Sequence, residues 1–178
     1  MFYISEYFNA SGLNPILYNT VCGKLNKSIT VMGGAYRTDW KLHTMGLQDI
    51  DMLVHWIYAL IPEAAYHLGG GAGGEDYSGC GFDNKAFRIS ECWGIHYNKG
   101  EYVFKHNHFP FALSFCYCVT APEGSSPFIV EDEEIEPLPG RIVFFHAHKY
   151  HNTLPNKSDG RCMIAGNISY DPEYHLEW

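Results

Sequence analysis

Between Leu47 and Ala65 the apolar residues Leu47, Ile50, Leu53, Val54, Ile57 and Leu60 recur at intervals of three and four. That spacing stacks them on one face of a helix, so an amphipathic helix with one buried stripe is predicted over 47–65. Pro62 has no N–H to donate and crowds the preceding turn, so the helix is expected to end or bend there. The first forty residues mix short apolar runs with turn signals such as Met32-Gly33-Gly34 and support no firm assignment. The stretch 68–84, LGGGAGGEDYSGCGFDN, is too rich in glycine for regular structure. It reads as a surface loop or as a lid over a site.

From Ala86 onward the texture changes to apolar and aromatic runs of strand length separated by turn residues. Strands are predicted near 86–97, 101–106, 112–120, 127–131, 133–137, 141–146, 149–154 and 161–170. Asn98-Lys99-Gly100, Pro122-Glu123-Gly124-Ser125, Pro139-Gly140 and Asn156-Lys157-Ser158-Asp159-Gly160 punctuate them. Eight short strands at this spacing suggest a mainly β chain, a jelly roll or another sandwich, with the 47–65 helix covering one sheet. In strand 112–120, Ala112, Ser114, Cys116 and Cys118 share one face, and the bulky Leu113, Phe115, Tyr117 and Val119 share the other. The small face suits a cavity and the large face suits packing against helices. The expected organisation is a single domain over 1–178, with 1–85 as helical and loop support and 86–170 as the β core.

At 178 residues and 46% hydrophobic residues the chain can bury a sizeable core. Its formal net charge of -8, with only 12 Lys plus Arg, argues against a nucleic-acid surface, which needs a basic patch. The start MFYISEYFNA lacks the basic and apolar regions of a signal peptide, and no apolar run approaches the ~20 residues of a membrane span. Cys22, Cys80, Cys92, Cys116, Cys118 and Cys162 sit mostly in apolar runs, where reduced thiols act as small hydrophobes. A cytoplasmic, reduced protein is expected.

Histidine carries the candidate chemistry. His106 and His108 stand two apart on a predicted strand, so both imidazoles face the same side. His151, on a strand about forty residues on, is the best-placed third ligand, provided a turn at 147–150 brings it into phase. Three ligands on one face leave the opposite positions open, an arrangement suited to non-haem iron. Cys116 and Cys118 are a weaker ligand option. His146 and His148 read as hydrogen-bonded or exposed side chains. Ten residues beyond His151, Arg161 opens the apolar run RCMIAGNISY. A buried guanidinium needs an anion and offers a planar fork that fits a carboxylate. The plainer reading is a strand-end arginine beside the Asp159 turn.

These residues carry a resemblance. Tyr97 to His108, then Phe109-Pro110, the turn Pro122 to Pro127, and His151 with Pro155-Asn156, Arg161 and Gly166-Asn167 resemble prolyl-4-hydroxylase-like 2-oxoglutarate oxygenases. They are more similar still to small oxygenases carried by tailed phages. The resemblance covers roughly the C-terminal half. It implies a double-stranded β-helix with iron(II) on His106, His108 and His151, and with 2-oxoglutarate as co-substrate. Arg161 would take the distal carboxylate of that co-substrate, and Tyr97 and Asn167 would join Arg161 in binding it. The substrate to be hydroxylated, a protein side chain, a nucleotide or a small metabolite, is not named by it. His108 departs from the family pattern, which has a carboxylate at that position. The alternatives are a cupin-type metal dioxygenase, in which Arg161 has no role, and a non-catalytic metal-binding jelly-roll module.

Overall fold

The computed structural model describes residues 1–31, 33–69 and 86–171. In chain order the elements are β1 (Tyr3–Glu6), α1 (Ala10–Lys24), β2 (Asn26–Thr30), β3 (Tyr36–Arg37) and α2 (Gln48–Leu68). They are followed by β4 (Phe87–Tyr97), β5 (Val103–His106), β6 (Leu113–Thr120), β7 (Phe128–Val130), β8 (Glu133–Ile135), β9 (Arg141–His146), β10 (His151–Thr153) and β11 (Arg161–Tyr170). All eight strands expected after residue 85 are present. The loop or lid reading of 68–84 falls, beyond Gly69, outside the described residues.

Two antiparallel sheets face each other. The larger runs β1-β9-β6-β11-β4-β3-β2 and the smaller runs β5-β10-β7-β8. From β4 to β11 the chain passes between them so that sequence neighbours are rarely sheet neighbours, which is the winding of a double-stranded β-helix. The three short strands before α2 extend the edges of the large sheet. Their sequences, such as NKSIT in β2, lack the alternation that would have marked them.

The large sheet separates two apolar cores. On its outer face Leu113, Phe115, Tyr117 and Val119 pack with Leu53, Ile57 and Ile61 of α2 and Leu17 and Val21 of α1. On its inner face Cys116, Cys118, Met163, Ala165, Trp93 and Ile95 meet Val103, Phe128 and Val130 of the small sheet. The alternation along β6 therefore divides bulky from small residues as expected, with the small face turned inward.

Helix α2 carries the predicted stripe, but it does not stop at Pro62. It continues to Leu68, with Ala64, Ala65 and Leu68 buried beyond the proline. Burial of that last apolar turn outweighs one lost backbone hydrogen bond. Helix α1 escaped sequence reading because its buried stripe is narrow, with Leu13, Leu17 and Val21 one turn apart, Pro15 among them and Gly12 and Gly23 flanking them. Buried Asn14 pins it to β6, donating to the Val119 carbonyl at 2.9 Å and accepting from the Tyr117 hydroxyl at 2.6 Å.

Gly166 marks the tightest point of the large sheet. A Cβ there would strike the Phe115 ring and come within 2.6 Å of the Glu91 carbonyl oxygen. Because both neighbours belong to strands paired with β11, neither can yield without disturbing the ladder. Gly166→Ala is expected to lower stability by about 1–3 kcal/mol, seen as a lower urea midpoint with an unchanged slope.

Candidate metal and anion site

The small sheet aligns the first two ligands. In the β5–β10 ladder His106 lies directly opposite His151, and opposed residues of antiparallel strands share a face. Their ring centroids are 4.3 Å apart. β5 ends at His106, yet alternation persists for two residues because the His108 N–H donates to the Ala147 carbonyl at 2.7 Å. The His108 ring lies 4.9 Å from His106 and 4.8 Å from His151. The turn after β9, closed by the Lys149 N–H on the His146 carbonyl, brings His151 into phase. Nitrogen atoms from all three imidazoles lie within 4.8 Å of one another, and this is the only such group of potential metal ligands among the described residues.

Each imidazole is anchored through Nδ1. His106 Nδ1 lies 2.7 Å from the Phe104 carbonyl oxygen, and His151 Nδ1 lies 3.3 Å from that of Lys149. His108 Nδ1 lies 2.5 Å from Asn167 Oδ1. Since these partners only accept, each Nδ1 carries the proton and each Nε2 is left with a free lone pair. His106 Nε2 and His108 Nε2 are 3.0 Å apart. Burial holds the pKa of His106 below the ordinary value. Burial, reinforced by the neighbouring imidazoles, lowers that of His108 to about 4 and that of His151 well below its usual range. Three neutral imidazoles with converging lone pairs fit a divalent transition metal.

His108 has a longer support chain than the other two. Asn167 Nδ2 donates to Glu91 Oε2 at 2.7 Å, which fixes the amide's orientation and turns its oxygen toward His108. The Ser114 hydroxyl donates to the same oxygen at 2.8 Å. Asn167, expected to join Arg161 in binding the co-substrate, lines the same cavity at its imidazole end. Six residues along a strand separate the two by about 20 Å, and the amide is engaged by His108, Ser114 and Glu91. Glu91 and Ser114 were missed. Glu91 reaches the inner face next to a bulge in β4, where the ladder with β11 steps from Glu91 to Ile89 and skips Ser90. Alternation back from Tyr97 through Ile95 and Trp93 does put Glu91 on the inner face, but its pairing with Asn167 comes from sheet register. Asn167→Ala is expected to weaken metal binding about 10–100-fold, measured by competition with a chelating dye, while metal stoichiometry at saturation is retained.

Arg161 is wholly buried, at 0% exposure. It lies across the β4–β11 ladder from Tyr97, with its guanidinium carbon 5.1 Å from the Tyr97 ring centre. One nitrogen, Nη1, donates to the Ser126 hydroxyl at 2.9 Å. Nε and Nη2 have no partner, and none of the ion pairs among the described residues involves Arg161. An unpaired interior cation is too costly to be structural. The fork instead fits a ligand carboxylate, so the strand-end reading of Arg161 falls. Burial pushes the Tyr97 phenol up, with Arg161 pulling it back in part.

A cavity of about 400 Å³ between the sheets joins these groups. The three histidines, Arg161, Tyr97 and Asn167 all line it, and Val103, Phe128, Phe145, Met163 and Ala165 make its walls largely apolar. Cys116 also faces it, but burial raises the Cys116 and Cys118 thiols to about 12, which makes them poor ligands. Cys22, Cys92, Cys116, Cys118 and Cys162 are all free thiols. His146 lies 3.1 Å from the Leu68 carbonyl oxygen through Nε2 and stacks on His148, outside the site. No helix among the described residues is long and apolar enough to cross a membrane.

No family model matches the chain, and no curated protein matches its sequence. Solved structures do match its fold. A Pseudomonas putida prolyl-4-hydroxylase shares 17% identity with a TM-score of 0.67, over 95% of this chain and 92% of that one. The collagen prolyl hydroxylase of Paramecium Bursaria Chlorella virus-1, solved with 2-oxoglutarate, shares 16% with a TM-score of 0.70, over 94% of each chain. A Trichoplax adhaerens prolyl hydroxylase, bound to a peptide of hypoxia inducible factor, shares 15% with a TM-score of 0.61, over 98% of this chain and 86% of that one. The fold is thus the double-stranded β-helix of prolyl-hydroxylase-like oxygenases.

Proposed function

We propose that this chain is an iron(II)- and 2-oxoglutarate-dependent oxygenase that hydroxylates a substrate C–H bond. The observation that carries the reading is the buried, two-thirds unpaired guanidinium of Arg161 in the same cavity as three convergent neutral imidazoles. A metal-binding module or a cupin-type dioxygenase has no use for that cation. The fold likeness to a viral hydroxylase solved with 2-oxoglutarate supports the same conclusion.

His106, His108 and His151 would hold the metal through Nε2. Their Nδ1 anchors keep the rings aimed and the lone pairs free. Arg161, steadied by Ser126, would take the distal carboxylate of the co-substrate, with Tyr97 beside it. The bound iron and co-substrate supply the oxidising chemistry, in which one atom of O2 enters the substrate and the other enters succinate as CO2 leaves. The protein orients the reactants and lines the cavity with Phe128, Phe145 and Met163, which keeps bulk water from the reacting centre. His108 brings no negative charge to the metal. The carboxylate of Glu91, one hydrogen-bonded amide removed, supplies it from a distance.

The test is an anaerobic calorimetric titration of 2-oxoglutarate into iron(II)-loaded protein. Saturable stoichiometric binding is expected. Protein that binds iron but not the co-substrate would show a metal-binding module.

A further inference from the structure

At the mouth of the cavity stands a second buried arginine that the proposed chemistry does not use. Arg37 is 8% exposed and lines the cavity. Its guanidinium carbon lies over the Trp40 ring, 3.7 Å from the ring centre, which helps to hold the fork in place. Its one hydrogen bond within the protein runs from Nη1 to the Thr38 carbonyl at 2.8 Å. None of the ion pairs among the described residues involves it. Burial lowers its pKa, and the nearby charges of Asp39 and then Glu91 partly restore it.

Two more groups face the same space. Trp93, in edge contact with Trp40 at 4.5 Å and 5.7 Å from the His108 ring, has a buried indole N–H with no acceptor. Glu91 lines the cavity with one carboxylate oxygen held by Asn167 and the other, Oε1, in no hydrogen bond with the described residues. The mouth therefore presents unfilled donors and an unfilled anionic acceptor. Arg37 and Glu91 sense each other's charge but form no ion pair.

Resting on the oxygenase reading, we propose that the substrate is a free α-amino acid, its carboxylate on Arg37 and the Trp93 N–H and its ammonium group on Glu91. A zwitterion satisfies both charges at once. An internal peptide segment offers only neutral amides there and would leave both charges desolvated and unpaired. The cavity volume, near the lower end of the range for small-molecule sites, suits a small substrate beside the co-substrate. Its C–H bond would take one oxygen atom of O2, and 2-oxoglutarate would leave as succinate and CO2.

The test is ligand-observed NMR on zinc-loaded protein, with and without 2-oxoglutarate. The probes are the twenty free L-amino acids, their N-acetyl methylamides, and short peptides containing the residues that bind. At least one free amino acid is expected to bind, with its doubly blocked form not binding. Arg37→Gln should weaken that binding at least about tenfold while 2-oxoglutarate affinity stays at the parent value, and Arg37→Lys should recover part of it. The proposal is overturned if no free amino acid binds, if the blocked forms or peptides bind as well or better, or if Arg37→Gln binds like the parent. Binding of 2-oxoglutarate without any amino acid would overturn it and leave the oxygenase reading intact. Amino-acid binding in a protein that ignores 2-oxoglutarate would sustain the amino-acid site alone, remove the oxygenase reading and so overturn the amino acid as a substrate.

Discussion

His106→Ala is expected to bind no iron(II) at stoichiometric level, whereas the parent binds one ion per chain. His106 is the hinge of the cluster, opposite His151 in the ladder and with its Nε2 3.0 Å from that of His108. Without it only His108 and His151 remain, and a divalent ion held by two imidazoles is far weaker than one held by three. The fold should persist, because among the described residues the only other hydrogen bond of that imidazole is to the nearby Phe104 carbonyl. Metal analysis after gel filtration, with circular dichroism as the fold control, decides the matter. A variant that retains a full equivalent of iron would remove His106 from the ligand set.

Arg161→Ala is expected to cost roughly 3–5 kcal/mol of 2-oxoglutarate binding, since a carboxylate would then be buried without a counter-charge. That is about two to four powers of ten in affinity. Arg161→Lys keeps the charge but loses the fork, and should retain only part of the binding. Arg161→Met makes a sharper control. With Nε and Nη2 unpartnered in the ligand-free protein, an apolar side chain of similar length should leave stability equal or higher while co-substrate binding is lost. Iron should bind to all three variants. Calorimetry on manganese-loaded protein measures the affinities, and parental affinity in Arg161→Ala would refute the assignment.

Much of this site was legible because strand geometry is periodic. The spacing of His106 and His108 sets a common face, and alternation puts Arg161 in phase with Ala165 and Asn167, whereas His151 comes into phase only through the turn at 147–150. What stayed hidden depended on irregularity or on partners far apart in sequence. The partnerships of Glu91 with Asn167 and of Asn167 with His108 follow from sheet register rather than from local sequence. Arg37 sits on a two-residue strand too short to show any alternation. Helix α1 is held by three thin apolar contacts and a buried asparagine. Local backbone chemistry alone would let α2 end or bend at Pro62, and packing of its last turn carries the helix on to Leu68.

The three imidazoles do not belong to one layer. His106 and His151 ride on the small sheet, while His108 is fastened through Asn167 and Ser114 to β11 and β6 of the large one. An ion shared among them is therefore a rivet through both walls of the barrel. Loading it ties β5 and β10, strands of only four and three residues, to the best-packed part of the molecule. At a hundredfold excess over Kd such a tie adds roughly 2.7 kcal/mol to the folded state. Its mark would be slowed amide exchange concentrated in those two short strands when the metal arrives.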